Sequence, residues 1–445
     1  MNERGIIHGA VVSLYLSGAV DGACHLPWPH PMSYLHPHRP AFLLDSSRSG
    51  TPPISHQLPN ASVIATAVAG HEWVHTSTHF ARGTENSGAW VSRRTLEVIN
   101  GDMASVAGDG TRRRKTACVT GGSGYIASAL VKMLLEKGYA VKTTVRNPDD
   151  MEKNSHLKDL QALGPLEVFR ADLDEEGSFD GAVAGCDYAF LVAAPVNLYA
   201  ENPEKDVIEP AIHGTLNVMR SCVRAGTVKR VVLTSSAATV SSRPLQGDGH
   251  VLDEESWSDV EFLRSRKTGP WAYPVSKVLL EKAACAFALE HGISLVTVCP
   301  VVTVGAAPAA KANTSVPDIL SLLSGDDARV RKLEFIERRT GSIPMVHIDD
   351  LCRAEVFVAE EEAAAGRYNC GSVNTTVVEL ARFLAAKYPQ YNVKTDRFAG
   401  LTGKPRVCIS SAKLVGEGFE FRYKNLDQIY DDVVEYGRGL GILPY

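Results

Sequence analysis

The sequence predicts an α/β protein built on a doubly wound parallel sheet, with a smaller C-terminal substrate lobe. Three observations carry this. A strand, a glycine turn, a helix and a second strand follow one another between residues 116 and 145. Strands then alternate with helices as far as Pro300. Of the 445 residues, 44% are hydrophobic and 22% charged, an ordinary balance for a folded globular chain.

Thr116 to Thr120 (TACVT) is short, apolar and rich in β-branched residues, which predicts a buried strand. Gly121, Gly122, Ser123 and Gly124 follow at once. Tyr125 to Lys137 places Ile126, Leu130, Met133 and Leu134 at helical spacing, and Gly138 ends the helix. Ala140 to Val145 is the second strand. The spacing Gly121-x-x-Gly124-x-x-Ala127 suits a Rossmann-type dinucleotide turn. Gly121 permits the tight turn, Gly124 lets the backbone approach a pyrophosphate on the helix N-terminus, and Ala127 lets helix and strand pack closely. Ser123, Tyr125 and Ile126 belong to the same expected cofactor contact. The second strand ends in Val145-Arg146-Asn147-Pro148, where NAD-binding units usually carry Asp or Glu. The planar fork of Arg146 suits a 2′-phosphate, so the expected cofactor is NADP(H). Asp149 and Asp150 come later, in the following loop.

Leu166 to Phe169 is the third strand, followed by Asp172 and Leu173, expected under the adenine. Tyr188 to Val192 is the fourth and ends in Ala193 and Ala194, small enough for a dinucleotide to lie close. Ile212 to Ala225 is helical. Arg230 to Thr234 is the fifth strand, with Thr234 at its cofactor-facing end and Ser235-Ser236 beyond. Val275 to Leu289 is helical, and Leu295 to Cys299 is the sixth strand, closing at Pro300, the last expected cofactor contact. Ligands of such sheets bind at the carboxyl ends of the strands.

The catalytic expectation rests on Tyr273-Pro274-Val275-Ser276-Lys277 at the start of a helix. Tyr273 and Lys277 are four residues apart and share a face. A free phenol is a poor proton donor near neutrality, and a neighbouring ammonium favours the phenolate. Tyr273 is therefore expected to donate or relay the proton, with Lys277 as its tuner and a contact to the nicotinamide ribose. Ser236 is expected to orient the reacting oxygen. Ser235 competes with it, because strand alternation points the two to opposite faces.

The chain before residue 103 differs from the rest. It holds nine of the 14 His and no Lys, with clustered Pro and no sustained periodicity. Residues 1–115 are expected to be a disordered N-terminal extension, with Met103 as the natural start. The domain expectation is then 116–300 for the NADP-binding unit and 301–445 for the substrate-binding lobe, some of which returns to the sheet. Residues 301–340 are expected to form the mobile substrate side, and 375–395 and 425–440 to be helical. His213, His291 and His347 lack ligand spacing, and Cys118, Cys299 and Cys352 read as core residues. No metal site is expected.

A net charge of −5 gives no basic excess for nucleic acid. The chain has no apolar run of about 18 residues, which argues against integral membrane association. Nine Cys without C-x-x-C argue against a disulfide framework and for a reducing compartment, so a cytoplasmic location is expected. The oligomeric state stays open.

Several stretches carry a resemblance: Lys115 to Ala127 (KTACVTGGSGYIA), Gly138 to Asn147 (GYAVKTTVRN), Phe169 to Leu173 (FRADL), Leu233 to Ala238 (LTSSAA), Trp271 to Lys277 (WAYPVSK) and Phe357 to Ala359 (FVA). Residues 116–445 resemble the extended short-chain dehydrogenases/reductases, and more narrowly the plant flavonoid and phenylpropanoid reductases. The pattern from Trp257 to Leu263 (WSDVEFL), Tyr388 to Tyr391 (YPQY) and Ile409 to Ser411 (ISS) is similar to the anthocyanidin-reducing branch. Ser241 after Thr239-Val240 departs from the Asn or Asp of dihydroflavonol reductases. The N-W-Y-C-Y-G-K stretch of cinnamoyl-CoA reductases is absent. The resemblance implies NADPH-dependent reduction of anthocyanidins to 2,3-cis-flavan-3-ols such as epicatechin, on a flat, mostly apolar pocket. Trp271 and Tyr199 are candidate substrate contacts by position. The competing readings are a sibling reductase of dihydroflavonols, aromatic aldehydes or thioesters, and a dinucleotide sensor without chemistry.

Overall fold

The computed structural model describes residues 113–195, 200–245, 247–309, 311 and 315–444. The expectations for residues 1–112 and for Tyr199 lie outside the described residues. Twelve strands are seen among them: β1 (Thr116–Val119), β2 (Ala140–Val145), β3 (Leu166–Arg170), β4 (Tyr188–Leu191), β5 (Arg230–Thr234), β6 (His250–Leu252), β7 (Leu295–Pro300), β8 (Val302–Val304), β9 (Ile343–His347), β10 (Gly366–Cys370), β11 (Val373–Thr375) and β12 (Val407–Ile409).

Seven of these form one parallel sheet in the order β10-β7-β5-β4-β1-β2-β3. The order reverses between β1 and β4, and the crevice at such a switch point is where doubly wound sheets take their ligands. The central strands β1, β4, β5 and β7 are buried almost throughout and read as mainly apolar runs, whereas the edge strand β3 exposes Glu167 and Arg170. In β1, Ala117 and Val119 pack in the core that holds Leu130 and Leu134 of the Tyr125–Glu136 helix and Leu351 of the Ile348–Glu360 helix. Cys118 packs in the opposite core, with Val218 of the Glu209–Ala225 helix and Leu280 of the Ala272–His291 helix. Each fully buried leucine of this kind contributes roughly 2 kcal/mol. Two small sheets, β11-β9-β8 and β12-β6, flank the main one.

The six expected strands all occur, each within a residue of its expected end. A seventh, β10, is chain from beyond residue 300 that returns to the sheet, a return expected without a position. It lies at the sheet edge beside β7, pairing Cys370 with Pro300. The helix carrying Tyr273 starts three residues earlier than expected, so Tyr273 and Pro274 lie inside its first turn. The expected helices near the C-terminus are Val377–Lys387 and Leu426–Gly439.

Residues 301–340, expected to form the substrate side, are mostly regular in secondary structure. Among the described residues they form β8 and the helices Ser315–Ile319, Ser321–Ser324 and Asp327–Thr340. The charges of the last helix lie on its solvated face while Val330 and Leu333 are buried. The Asp326 carboxylate accepts from the N–H groups of Ala328 and Arg329, capping its start. No helix among the described residues is long and apolar enough to cross a membrane.

Candidate active site

The β1 turn lies at the switch point. Gly121 has φ +79°, and a Cβ there would come within 3.1 Å of the Ala193 side chain after β4. The Thr120 hydroxyl oxygen accepts from the N–H groups of Val192 and Ala193 at 3.0 and 2.9 Å, holding the two strand ends together. Gly121 N–H donates to the Thr144 hydroxyl at 3.1 Å, and Gly122 N–H to the Thr144 carbonyl at 2.8 Å. Gly122 proves the most confined of the run, since a Cβ on it would lie 2.3 Å from the Thr143 hydroxyl oxygen. Thr143 is fully buried, and its hydroxyl donates to the Val119 carbonyl. Ser123 and Gly124 remain at least partly exposed.

Gly124 is the N-cap of the Tyr125–Glu136 helix. No side chain caps this end, and its first turn contains no acid. Its N–H groups therefore suit an anion. Ile126 is half-buried, and Ala127 is buried against the sheet as expected. The Tyr125 side chain turns away. Its buried phenol donates to the Gly305 carbonyl at 2.6 Å, so only its backbone belongs to the turn. Burial, with the nearby Tyr436, Cys352 and Asp432, holds that phenol well above its ordinary pKa.

Arg146, just past β2, is exposed and makes no ion pair among the described residues. Asp150 is already engaged, accepting from the Lys153 N–H and Nζ as the N-cap of Met151–Leu160. Asp172 and Leu173 follow β3. Leu173 fits against Gly214 of the Glu209–Ala225 helix, and the Asn217 amide donates to its carbonyl at 2.8 Å. His156 was overlooked in the sequence. Its Nε2 donates to the Gly122 carbonyl at 3.0 Å, steadying the turn from the next helix. Ala193 and Ala194 are half-buried beside the turn.

The end of β5 divides its hydroxyls between the two faces of the sheet. Thr234 donates to buried Glu355 at 2.6 Å on one side, and Ser235 donates to buried Glu281 at 2.6 Å on the other. Ser235 is thereby taken out of the competition. Ser236 is half-buried, and its hydroxyl oxygen accepts from the Ala238 N–H at 3.1 Å. That leaves its proton and a second lone pair for a ligand. The Ala237–Thr239 turn packs on the Ala272–His291 helix, which carries Tyr273 and Lys277.

Lys277 is buried, with Nζ 3.4 Å from the Thr234 carbonyl. Tyr273 is half-buried, and its hydroxyl has no hydrogen-bond partner among the described residues. Burial pushes the Glu355 carboxyl up to about 7, partly offset by the Thr234 hydroxyl. Pro300 is buried at the end of β7. His347, expected to be structural, stacks on Tyr423 and pairs with Asp432 at 3.0 Å. Cys118, Cys299 and Cys352 are buried, and burial raises each thiol above its ordinary pKa.

A sheet that brings an open phosphate cradle and a helix-borne Tyr–Lys pair to the same strand ends is that of a nicotinamide-dependent oxidoreductase. The chain belongs to the NAD dependent epimerase/dehydratase family, whose model matches residues 117–371. It is 50% identical over 330 residues to an anthocyanidin reductase ((2S)-flavan-3-ol-forming) of Vitis vinifera, spanning 74% of this chain and 97% of the relative. A dihydroflavonol 4-reductase of Zea mays is 42% identical over 339 residues, spanning 76% and 92%. Among solved structures, vestitone reductase from alfalfa is 35% identical with a TM-score of 0.64, covering 74% of this chain and all of that one. Gre2 of Candida albicans in complex with NADPH is 25% identical with a TM-score of 0.60, covering 73% and 99%. The resemblance to plant flavonoid reductases read from the motifs is borne out.

Proposed function

We propose that this enzyme reduces anthocyanidins such as cyanidin, pelargonidin and delphinidin with NADPH, giving flavan-3-ols of the 2,3-cis series as in epicatechin. The observation that carries the substrate is the match to an anthocyanidin reductase along 97% of its length, at higher identity than to the dihydroflavonol reductase. The cofactor reading rests on Arg146, exposed where an NAD enzyme would present an acid, and on Asp150, which is spent on a helix cap. The NADPH complex of the Gre2 relative agrees with it.

The residues fit such a dinucleotide. Gly121, Gly122, Ser123 and Gly124, with the backbone at Tyr125 and Ile126, would hold the pyrophosphate. Arg146 would hold the 2′-phosphate, Asp172 and Leu173 the adenine side, and Ala193, Ala194, Thr234 and Pro300 would line the nicotinamide end. When bound, the reduced cofactor supplies hydride, and each substrate molecule needs two. Tyr273 then gives a proton through its unengaged hydroxyl. Lys277, held by the Thr234 carbonyl, lies one turn away and would hold the nicotinamide ribose. Ser236 donates to the reacting oxygen. Residues 116–300 hold the cofactor, and 301–445 supply the substrate side, with β10 returned to the sheet. The described cysteines are all free thiols, in keeping with a cytoplasmic enzyme acting on a small flavonoid.

The test uses the full chain with NADPH, offered cyanidin and dihydroquercetin separately, with products resolved by chiral chromatography. Epicatechin from cyanidin and no product from dihydroquercetin is the expected result. Leucocyanidin from dihydroquercetin would move the substrate to the sibling reaction and leave the site intact.

A further inference from the structure

The mechanism leaves unused a buried polar network behind Ser236, built from elements far apart in the chain. Glu281 lies on the Ala272–His291 helix one turn beyond Lys277, and its side chain is 0% exposed. One of its oxygens accepts from the Ser235 hydroxyl and the other from Nε of Arg367, both at 2.6 Å. Arg367 comes from edge strand β10, and its side chain is 10% exposed.

The remaining guanidinium donors of Arg367 are also placed. Nη1 donates to the carbonyls of Glu254 and Ser256 at 2.7 and 3.0 Å, and Nη2 to the Thr239 hydroxyl at 2.8 Å. Its flat face lies 3.7 Å from the centre of the Trp257 ring. With Arg367 occupying one lone pair, the Thr239 hydroxyl turns its own proton to the Ser236 carbonyl at 2.8 Å. Ser258 completes the frame, its hydroxyl donating to the Ala238 carbonyl and its N–H to the Thr239 carbonyl, both at 2.7 Å. The Trp257-Ser258 motif thus gains a physical role.

We propose that Arg367 is a positioning residue, which fixes the hydroxyl of Ser236 by clamping Glu281, Trp257 and Thr239 into one frame. The proposal rests on the reading of Ser236 as the group that orients the reacting oxygen. A buried ion pair adds little stability beyond a well-packed apolar pair. What this one supplies is direction. The planar fork reaches four acceptor groups at set angles, which an ammonium cannot reproduce. The frame grips Ser236 from both sides, through the side chain of Ser235 before it and the hydroxyl of Thr239 after it. The Ala238 N–H that orients the Ser236 hydroxyl lies inside the gripped turn.

The experiment compares full-length Thr239→Val, Thr239→Ser, Arg367→Lys and Ser236→Ala. Each is measured for kcat with NADPH and cyanidin, or with dihydroquercetin should that be the substrate turned over. NADPH affinity is measured separately by fluorescence titration. Thr239→Val keeps the shape and the ion pair and removes only the hydroxyl. It is expected to lower kcat about tenfold to a hundredfold while NADPH affinity stays within about twofold, because a small misplacement of a reacting group is enough for such a loss. Thr239→Ser restores kcat. Arg367→Lys, which keeps the charge beside Glu281 and loses the fork, lowers kcat in the same way and carries the test should Thr239→Val fail to fold. Equal losses of kcat and NADPH affinity, or no rescue by Ser, would reduce the network to a structural one and overturn the proposal. Wild-type kcat in Thr239→Val alongside a loss in Ser236→Ala would overturn the frame alone. Wild-type kcat in Ser236→Ala would overturn the reading of Ser236 beneath it.

Discussion

The two ends of the site are built in opposite ways. The proposed phosphate cradle is local and made of backbone, with contacts such as Gly121 to Thr144 closing over 23 residues. Its chemistry lies in what is missing: side chains at Gly121, Gly122 and Gly124, and a cap on the helix that follows. The proposed catalytic edge is assembled from side chains across long separations. Ser235 meets Glu281 over 46 residues, and Glu281 meets Arg367 over 86 more. The turn leans on a few neighbours such as Thr143, Thr144 and His156, whereas the edge depends on a longer chain of partners that no local pattern announces.

The contrast is sharpest at Gly122. A methyl group there has nowhere to go, because the atom it meets belongs to a buried, hydrogen-bonded threonine. Gly122→Ala is expected to lose about 1–3 kcal/mol of stability and at least about tenfold in NADPH affinity. Thr143→Ala added to it removes the colliding atoms and should recover part of the stability. Denaturant unfolding and NADPH titration check both. A Gly122→Ala protein of full stability and affinity would mean that the turn yields where the geometry says it cannot.

Glu355 tests the other end. Its carboxyl titrates near 4.5 when unfolded and about 7 when folded, raised by burial, with the neighbouring Cys352 and Cys370 thiols also held neutral by burial. Between those values the folded state holds a proton that the unfolded state has lost. This group therefore favours folding less and less as pH rises from about 4.5 to about 7. Glu355→Gln removes that slope. Its stability relative to the parent should rise between pH 5 and pH 8 by up to about 3 kcal/mol, measured by urea unfolding. An offset independent of pH would show that Glu355 stays ionised in the fold.

Arg146 gives the smallest effect, being exposed and without an ion pair among the described residues. Arg146→Leu should raise the KM for NADPH by about tenfold and leave that for NADH nearly unchanged. Equal changes for both cofactors would remove Arg146 from the 2′-phosphate site.

This division also marks what the sequence makes legible. The strands of the main sheet up to Pro300 were readable because each is short, rich in apolar or β-branched residues and followed by small or turn residues. Strand β10 was not, because Arg367 and Asn369 interrupt its apolar pattern, Asn369 buried and Arg367 largely covered. The helix Asp327–Thr340 was not read within the charge-rich 301–340 stretch, although Val330 and Leu333 bury a stripe of it. Gly121, Gly124, Tyr273 and Lys277 stood out through spacing along one element. The choice between Ser235 and Ser236 needed Glu281, and the grip on the glycine turn needed His156, both supplied by other helices. Spacing reports contacts within an element, and tertiary pairing between elements leaves no such trace.

If the proposed roles hold, binding and chemistry are separable, the cradle serving one and the β5–helix edge the other. Tyr273→Phe in the full chain tests this most directly, measured for both NADPH affinity and turnover of cyanidin. The expected result is NADPH affinity within about twofold of the parent and a loss of kcat of at least about a hundredfold. Turnover close to the parent's would place the proton donor elsewhere and contradict the account.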